Sequence, residues 1–392
     1  MSQKTKVIIT LVIISLTTFF LFRSQINRLF FMPTTSTAQP GVTTSNLSTS
    51  SPQSPPIEPT TTITQNLDIP WEVAFLPTEA AGGTDGDLLV TERPGRLLKV
   101  SQGEQQLIQE IQGVNHIGEG GLMGLALHPE FSSNRWLYLY LTSSGSQGVI
   151  NRLERYQLND NTLSNRQVLL DNITGSSVHD GGRIAFGPDG YLYIGTGDAG
   201  NEQSAQDTNS LNGKILRVND DGSIPPDNPF GNEVYSYGHR NVQGIAWDDS
   251  GNLWATEHGP SGNQTGYDEL NLIRKGGNYG WPVIRGDQTR DGMVTPVLQS
   301  GSTDTWAPAG LAYLDGSLYF AGLRGASLYQ TKLSGTSVSS FIAHFTSDYG
   351  RLRAVTLSPN NLLYISTSNT DGRGSVNQGD DKIILIKPEI FD

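Results

Sequence analysis

The chain has no cysteine. Disulfides, thiolate metal sites and lipid attachment through cysteine are excluded, so stability has to come from packing and bound ions. Positive charge is also scarce: the net charge is −12 at neutral pH. Lys4, Lys6, Arg23 and Arg28 against Glu58 give the first 60 residues +3, so the remainder carries −15. That acidity argues against nucleic acid as a partner and suits neutral molecules or cations. No Gly-x-Gly-x-x-Gly opens a helix and there is no P-loop, which leaves nucleotide cofactors without a home. Past the N-terminus no stretch shows helical periodicity.

What is present is repetition. Ile184-Ala-Phe-Gly-Pro-Asp-Gly-Tyr-Leu-Tyr-Ile reads as a strand, a turn and a second strand. Related stretches centre on Ala74, Ala126, Ala185, Ala246, Ala312 and Thr356, at steps of 52, 59, 61, 66 and 44 residues. A unit of that size holds about four short strands, one propeller blade. The expected fold is therefore all-β, a six-bladed propeller of four-stranded blades. A pair of β-sandwiches or a barrel would not explain the repeat. The longest steps place the long connections, and with them the site, between blades three and five.

The N-terminus carries Lys4, Lys6, an uncharged run from Val7 to Phe22, then Arg23. It reads as an uncleaved signal anchor over residues 1–31, with a cleaved signal peptide as the alternative. Either puts the rest of the chain outside the cytoplasmic membrane, periplasmic or at the cell surface, and touches the membrane only through this segment. Residues 32–65 are a Thr/Ser/Pro tract, expected to be a disordered tether. The folded domain is expected to span 66–392.

Three histidines sit in unusual company: His179 in His-Asp-Gly-Gly-Arg, His239 in Tyr-Gly-His-Arg-Asn, and His258 in Thr-Glu-His-Gly-Pro. Each falls at a strand–loop junction, where loops converge on one mouth of a propeller. His128 reads as a turn residue. Zinc is poorly supported, with no cysteine and no His-x-His. Asp268-Glu269, together with the glycine-rich loop after Glu257, offers hard oxygens suited to calcium. Arg240, Arg324, Arg351 and Arg353 form a second set. In a strand, positions 351 and 353 face one side, a placement suited to bidentate capture of a multiply anionic ligand.

Several motifs together resemble the soluble pyrroloquinoline-quinone (PQQ)-dependent sugar dehydrogenases, the glucose/sorbosone dehydrogenase group, and within it the aldose sugar dehydrogenase branch. They are Ile69-Pro-Trp-Glu, Thr91-Glu-Arg-Pro-Gly-Arg, Gly118-Glu-Gly-Gly-Leu-Met-Gly, His179-Asp-Gly-Gly-Arg, Tyr237-Gly-His-Arg-Asn-Val-Gln-Gly, Glu257-His-Gly-Pro, Gly277-Asn-Tyr-Gly-Trp-Pro and Trp306-Ala-Pro-Ala-Gly. The resemblance runs from about Leu67 to Ile386.

The resemblance implies a six-bladed propeller with PQQ and calcium (Ca2+) at the channel mouth. It implies His179 as general base and Arg240 with Asn241 at the reactive edge of the quinone. Glu119 and Arg324 would lie near the cofactor, and Arg351 and Arg353 would grip its carboxylates. Carbonyls of Gly259 and Pro260 would hold the cofactor's calcium, with Glu269 and Tyr279 at a second calcium. The implied reaction oxidises an aldose sugar at its anomeric carbon to a lactone, passing electrons to an external acceptor. The stretch between Trp281 and Trp306 is short where the glucose-specific branch has an insertion, which puts strict glucose specificity and a fixed dimer in doubt. The alternatives are a calcium-dependent lactone hydrolase and a non-enzymatic surface-binding propeller.

Overall fold

The structure is a computed structural model that describes residues 59–77, 86–146, 148–260 and 266–391. The anchor and nearly all of the tether lie outside the described residues. The strands form six separate four-stranded antiparallel sheets, five of them with their strands in simple up-and-down order and the sixth closed by a strand from the N-terminal end. All six positions that marked the repeat lie on the first strand of their blade: Pro70–Phe75, Leu122–Leu127, Ile184–Phe186, Val242–Trp247, Pro308–Leu314 and Leu352–Leu357. Each first strand packs against the first strands of both neighbouring blades, so these six strands form a closed ring around a central axis.

The ring is narrow, and glycine lets it close. A Cβ on Gly310 would stand 2.6 Å from the backbone nitrogen of Val355 in the next blade. One on Gly244 would stand 2.5 Å from the carbonyl oxygen of Ala309. Real Cβ atoms do not approach this closely, so side chains at these places would push the inner strands apart.

The sixth blade corrects the expected domain boundary. Thr60–Thr64, assigned from sequence to the tether, is a strand paired antiparallel with Ile383–Ile386. The N-terminal end of the domain thus supplies the outer strand of the last blade and latches the ring. The tract is poor in apolar residues, but four threonines around Ile63 are β-branched and suit an edge strand.

The axis is filled. Trp71 of blade one lies between two guanidinium groups, with Arg183 of blade three 4.4 Å and Arg353 of blade six 5.6 Å from its ring centre. Arg183 ion-pairs with Glu72 and donates to the Gln243 carbonyl at 2.9 Å. Arg353 donates to the Gln243 side chain at 2.5 Å. This layer separates the two ends of the channel.

Candidate active site

Antiparallel order fixes which loops share an end of the propeller. The segment leading into each first strand and the loop between the second and third strands lie at the same end. Glu119, His179, Arg240 and Arg351 each precede a first strand; Asp198, His258, Arg324 and Arg373 each follow a second strand. All eight therefore sit on one face. The cleft there is lined by residues of five blades, among them Glu119, His179, Arg240, Gly259, Pro260 and Arg324. The site is not confined to blades three to five, because Glu119 of blade two and Arg351 and Arg373 of blade six also line it.

His179 is held at every polar atom. Its backbone is left-handed, with φ 54°, a conformation that non-glycine residues adopt only when their surroundings impose it. Its N–H donates to Glu119 Oε2 at 2.9 Å. Its carbonyl accepts from Ala199 N at 3.1 Å. Its ring Nδ1 lies 2.7 Å from Asp198 Oδ1, and Nε2 lies 2.9 Å from Arg240 Nη2. Arginine has no acceptor, so Nε2 must be the unprotonated nitrogen and Nδ1–H the donor to Asp198. The geometry specifies one neutral tautomer with its lone pair facing the mouth.

Asp198 is buried, and burial would raise its carboxyl. The hydrogen bond from His179 and the N–H groups of Gly200 and Trp281 outweigh that and hold it below the usual range. The loop carrying Asp198 is closed by Lys214, a fully buried lysine. Its ammonium donates to the carbonyls of Ser204, Ala205 and Asn212 at 2.7, 3.0 and 2.6 Å.

Glu119 holds the main chain of His179 where Asp198 holds its ring. Desolvation would raise its carboxyl, but Arg373, His179 and the His179 N–H more than offset this and hold it well below the ordinary range. Arg373 Nη1 lies 2.9 Å from Glu119 Oε1. Arg351 is paired with Asp371 at 2.7 Å. Arg324 forms no ion pair among the described residues, and its Nε is buried without a partner. His258 also lines the cleft; burial pushes its imidazole down to about 3, so it is neutral.

The structure separates some residues that the sequence had grouped. Arg353 lies in the axial layer against Trp71 and does not line the cleft, whereas Arg351 does. The reason is local. Arg351 precedes its strand and the register shifts between Leu352 and Val355, so strict two-residue alternation does not apply. Asn241 is fully buried behind the His179 loop, where its Oδ1 accepts from Gly181 N at 3.0 Å. His239 lies below the mouth, between Glu257 at 2.6 Å and Ser236 at 2.9 Å.

Asp268 serves as a staple. Its Oδ1 accepts from Gly259 N at 2.8 Å and its Oδ2 from Thr305 Oγ1, Trp306 N and Ala307 N at 2.7 to 2.9 Å, which ties the Gly259 loop to the entry of blade five. Glu269 and Tyr279 line a second, smaller cavity together with Gly259, Pro260 and Glu257. Glu257 and Glu269 are directly opposed in register across two strands. Burial raises both carboxyls, and the charge of Glu257 raises that of Glu269 further. Buried like charges in that arrangement call for a proton or a cation between them. The Tyr279 hydroxyl is committed to the main chain of Leu272 and Arg274 at 2.6 and 2.8 Å, so its carbonyl is what it can offer a metal.

Asp198, Asp371, Arg373, Lys214 and Glu257 escaped the reading of the sequence as parts of the site. The partner of Arg351 is Asp371, on the next loop of the same blade.

Comparison with known proteins agrees with this arrangement. Residues 67–384 match the family model for glucose/sorbosone dehydrogenase. An aldose sugar dehydrogenase of Escherichia coli is 31% identical over 340 residues, covering 78% of this chain and 89% of that protein. The quinoprotein glucose dehydrogenase B of Acinetobacter calcoaceticus is 35% identical over 54% of this chain and 51% of its own. The PQQ-bound aldose sugar dehydrogenase structure from Streptomyces coelicolor superposes with a TM-score of 0.77 at 42% identity, covering 83% of this chain and 96% of that one. The match runs from the first channel loop to the last strand and takes in every residue of the mouth, and on that ground the chain belongs to the glucose/sorbosone dehydrogenase family.

Proposed function

We propose that this sugar dehydrogenase oxidises aldoses at the anomeric carbon to lactones, with PQQ and Ca2+ as resident groups and His179 as general base. The observation that carries the reading is the His179 ring: Nδ1–H fixed on Asp198 and the Nε2 lone pair presented at a cationic mouth.

The residues present suit a planar, multiply anionic cofactor. Arg240, Arg324 and Arg351 line one cleft, while Arg373 in the same lining is engaged by Glu119. Buried polar atoms without partners, Arg324 Nε and His258 Nε2, stand in the same lining. Asn241 Nδ2, also without a partner, lies just behind it. Ca2+ would rest on the carbonyls of Gly259 and Pro260 and on water, with a second ion between Glu257, Glu269 and the Tyr279 carbonyl. Among the described residues no trio of His, Asp or Glu converges on a metal position, so carbonyl-rich calcium ligation fits better than zinc. When bound, PQQ supplies a two-electron acceptor for the anomeric hydride and Ca2+ a Lewis acid that makes it more electrophilic.

The protein's own part follows from the His179 array. The anomeric hydroxyl takes the place of the Arg240 N–H at Nε2 and gives up its proton there. The carboxylate of Asp198 stabilises the imidazolium that forms. Arg240, displaced but adjacent, keeps its charge beside the oxygen that has lost its proton. Burial lowers the Arg240 pKa, opposed by Asp198 and Glu119, and those carboxylates favour its charged form.

A calcium-dependent lactone hydrolase would require carboxylates and amides converging on the channel axis. The axis instead holds Trp71 between Arg183 and Arg353. An external acceptor is required to remove two electrons per turnover. From Lys4, Lys6 and the uncharged run at 7–22, we place the domain outside the cytoplasmic membrane. Reconstitution of the purified protein with PQQ and Ca2+, followed by an absorbance spectrum and a dye-reduction assay with aldoses, tests the proposal. Quinone-dependent dye reduction is the expected result; reduction that needs no added quinone, or none with any aldose, overturns it.

A further inference from the structure

We propose that Arg373 is a positioning residue for the base: it acts on His179 through Glu119. The proposal rests on the proposed function, in which His179 takes the substrate proton.

The chain of contacts crosses three loops. Arg373 leaves the second strand of blade six and reaches Glu119 Oε1, 254 residues away in sequence, at 2.9 Å. The other oxygen of Glu119 accepts the backbone N–H of His179 at 2.9 Å. That N–H belongs to a residue held at φ 54°, so the peptide needs an acceptor in a fixed place to stay left-handed. A carboxylate free to rotate would not provide one. Arg373 fixes its rotation by taking one oxygen, leaving the other for His179.

The arginine is itself anchored. Its own N–H donates to Asp371 Oδ1 at 2.9 Å. The other oxygen of Asp371 accepts from Arg351 Nε and Nη2 at 3.1 and 2.7 Å. One short turn therefore braces both the cofactor-facing Arg351 and the strut to the base. The other charged groups facing His179 are Asp198 at Nδ1 and Arg240 at Nε2. Both act on its ring, whereas Glu119 takes its main-chain N–H.

The test uses the full-length protein as R373Q, R373K, E119Q and the double variant R373Q/E119Q. In the apoprotein, the amide resonance of His179 reports its hydrogen bond. It is expected to move in R373Q and E119Q, and to return toward the wild-type position in R373K. In the PQQ- and Ca2+-loaded enzyme, R373Q is expected to lower kcat about ten-fold or more, with the sugar KM and the PQQ dissociation constant changed less than about three-fold. R373K restores most of kcat, and the double variant is no worse than E119Q, since both act through one strut. An unmoved His179 amide in R373Q overturns the proposal. So does a PQQ affinity weakened ten-fold with kcat unchanged at saturating cofactor, which would make Arg373 a cofactor-gripping residue. A wild-type enzyme that oxidises no aldose overturns the proposed function instead, and the apoprotein measurement then decides Arg373 alone.

Discussion

The indole N–H of Trp281 donates to Asp198 Oδ2 at 2.9 Å, while Asp198 Oδ1 takes the His179 ring at 2.7 Å and Gly200 N at 2.8 Å. A single carboxylate thus faces three donors. An amide could not, because one of its ends carries hydrogens. In Asp198→Asn either Trp281 or His179 with Gly200 meets a donor. The His179 tautomer is then no longer specified, and turnover is expected to fall on the order of ten- to a thousand-fold with PQQ binding kept. His179→Ala removes the proposed base outright and should cost more, about a hundred- to ten-thousand-fold. Its Glu119 and Ala199 contacts are main-chain, so fold and quinone affinity should change little. Steady-state kinetics alongside a quinone titration check both. Unchanged kcat in Asp198→Asn would remove Asp198 from the mechanism, and near-native turnover in His179→Ala would show that another group takes the proton.

The two arginines of the Arg-Leu-Arg motif should part company. Arg351 lines the cleft, so Arg351→Ala is expected to weaken PQQ about ten- to a hundred-fold, the loss of one charge-assisted bond. Arg353 is buried against Trp71 and Gln243. Arg353→Ala should chiefly cost stability, about 1–3 kcal/mol, measured by urea unfolding. If Arg353→Ala weakens PQQ as much as Arg351→Ala and leaves unfolding unchanged, the axial assignment is wrong.

These placements show what a sequence carries and what it cannot. The six inner strands were legible because alternation and Pro-Asp-Gly turns are local signals. His179, Arg240 and Arg351 were legible because their motifs are short and contiguous. Their partners were not: Asp198 lies 19 residues from His179, Asp371 lies 20 from Arg351 and Arg373 lies 254 from Glu119. Only closure of the ring brings the last of these together. The Thr60–Thr64 strand was missed because its stability comes from Ile383–Ile386, some 320 residues on, and not from its own apolar content.

Asp180 provides a pH test. Burial raises its carboxyl from 3.8 to about 7, and its Oδ2 has no partner. The folded chain keeps a proton that the unfolded chain releases near pH 4. Its contribution to stability is fully present below that pH and is lost as pH rises toward 7, with no further change above. The loss is at most about 4 kcal/mol. Asp180→Asn keeps one carbonyl oxygen for Ser176 N and Asn151 and never ionises. Its stability relative to wild type should therefore grow between pH 4 and 7 and then level off. A difference in urea midpoint between variant and wild type that is the same at pH 4.5 and pH 8 would contradict this.

Calcium should act on stability as well as on turnover. The opposed Glu257 and Glu269 repel unless a proton or cation neutralises them. Adding Ca2+ to the chelator-treated apoprotein is expected to raise its thermal midpoint in a concentration-dependent way, and Glu269→Gln should blunt that response. A wild-type midpoint indifferent to Ca2+ would mean that a shared proton, and not a metal, relieves the pair.

Substrate breadth follows from the segment between Trp281 and Trp306. It forms only a two-residue strand, Leu298–Gln299, and residues 287–292 are exposed. Of its residues only Thr305 lines the cleft. The side of the mouth next to blade four therefore offers few groups to read sugar hydroxyls. Discrimination by hydroxyl recognition can reach roughly ten-thousand-fold, but only where buried polar groups are left unpaired by the wrong substrate. Few such groups line that side of the mouth, whereas the anomeric carbon that would meet His179 in the proposed reaction is common to all aldoses. The enzyme is expected to oxidise several mono- and disaccharides at their reducing ends, with kcat/KM values within about a hundred-fold of one another. A panel of aldoses measured under identical loading decides the point, and a preference of about a thousand-fold for one sugar would mean that hydroxyl-reading groups close over the substrate.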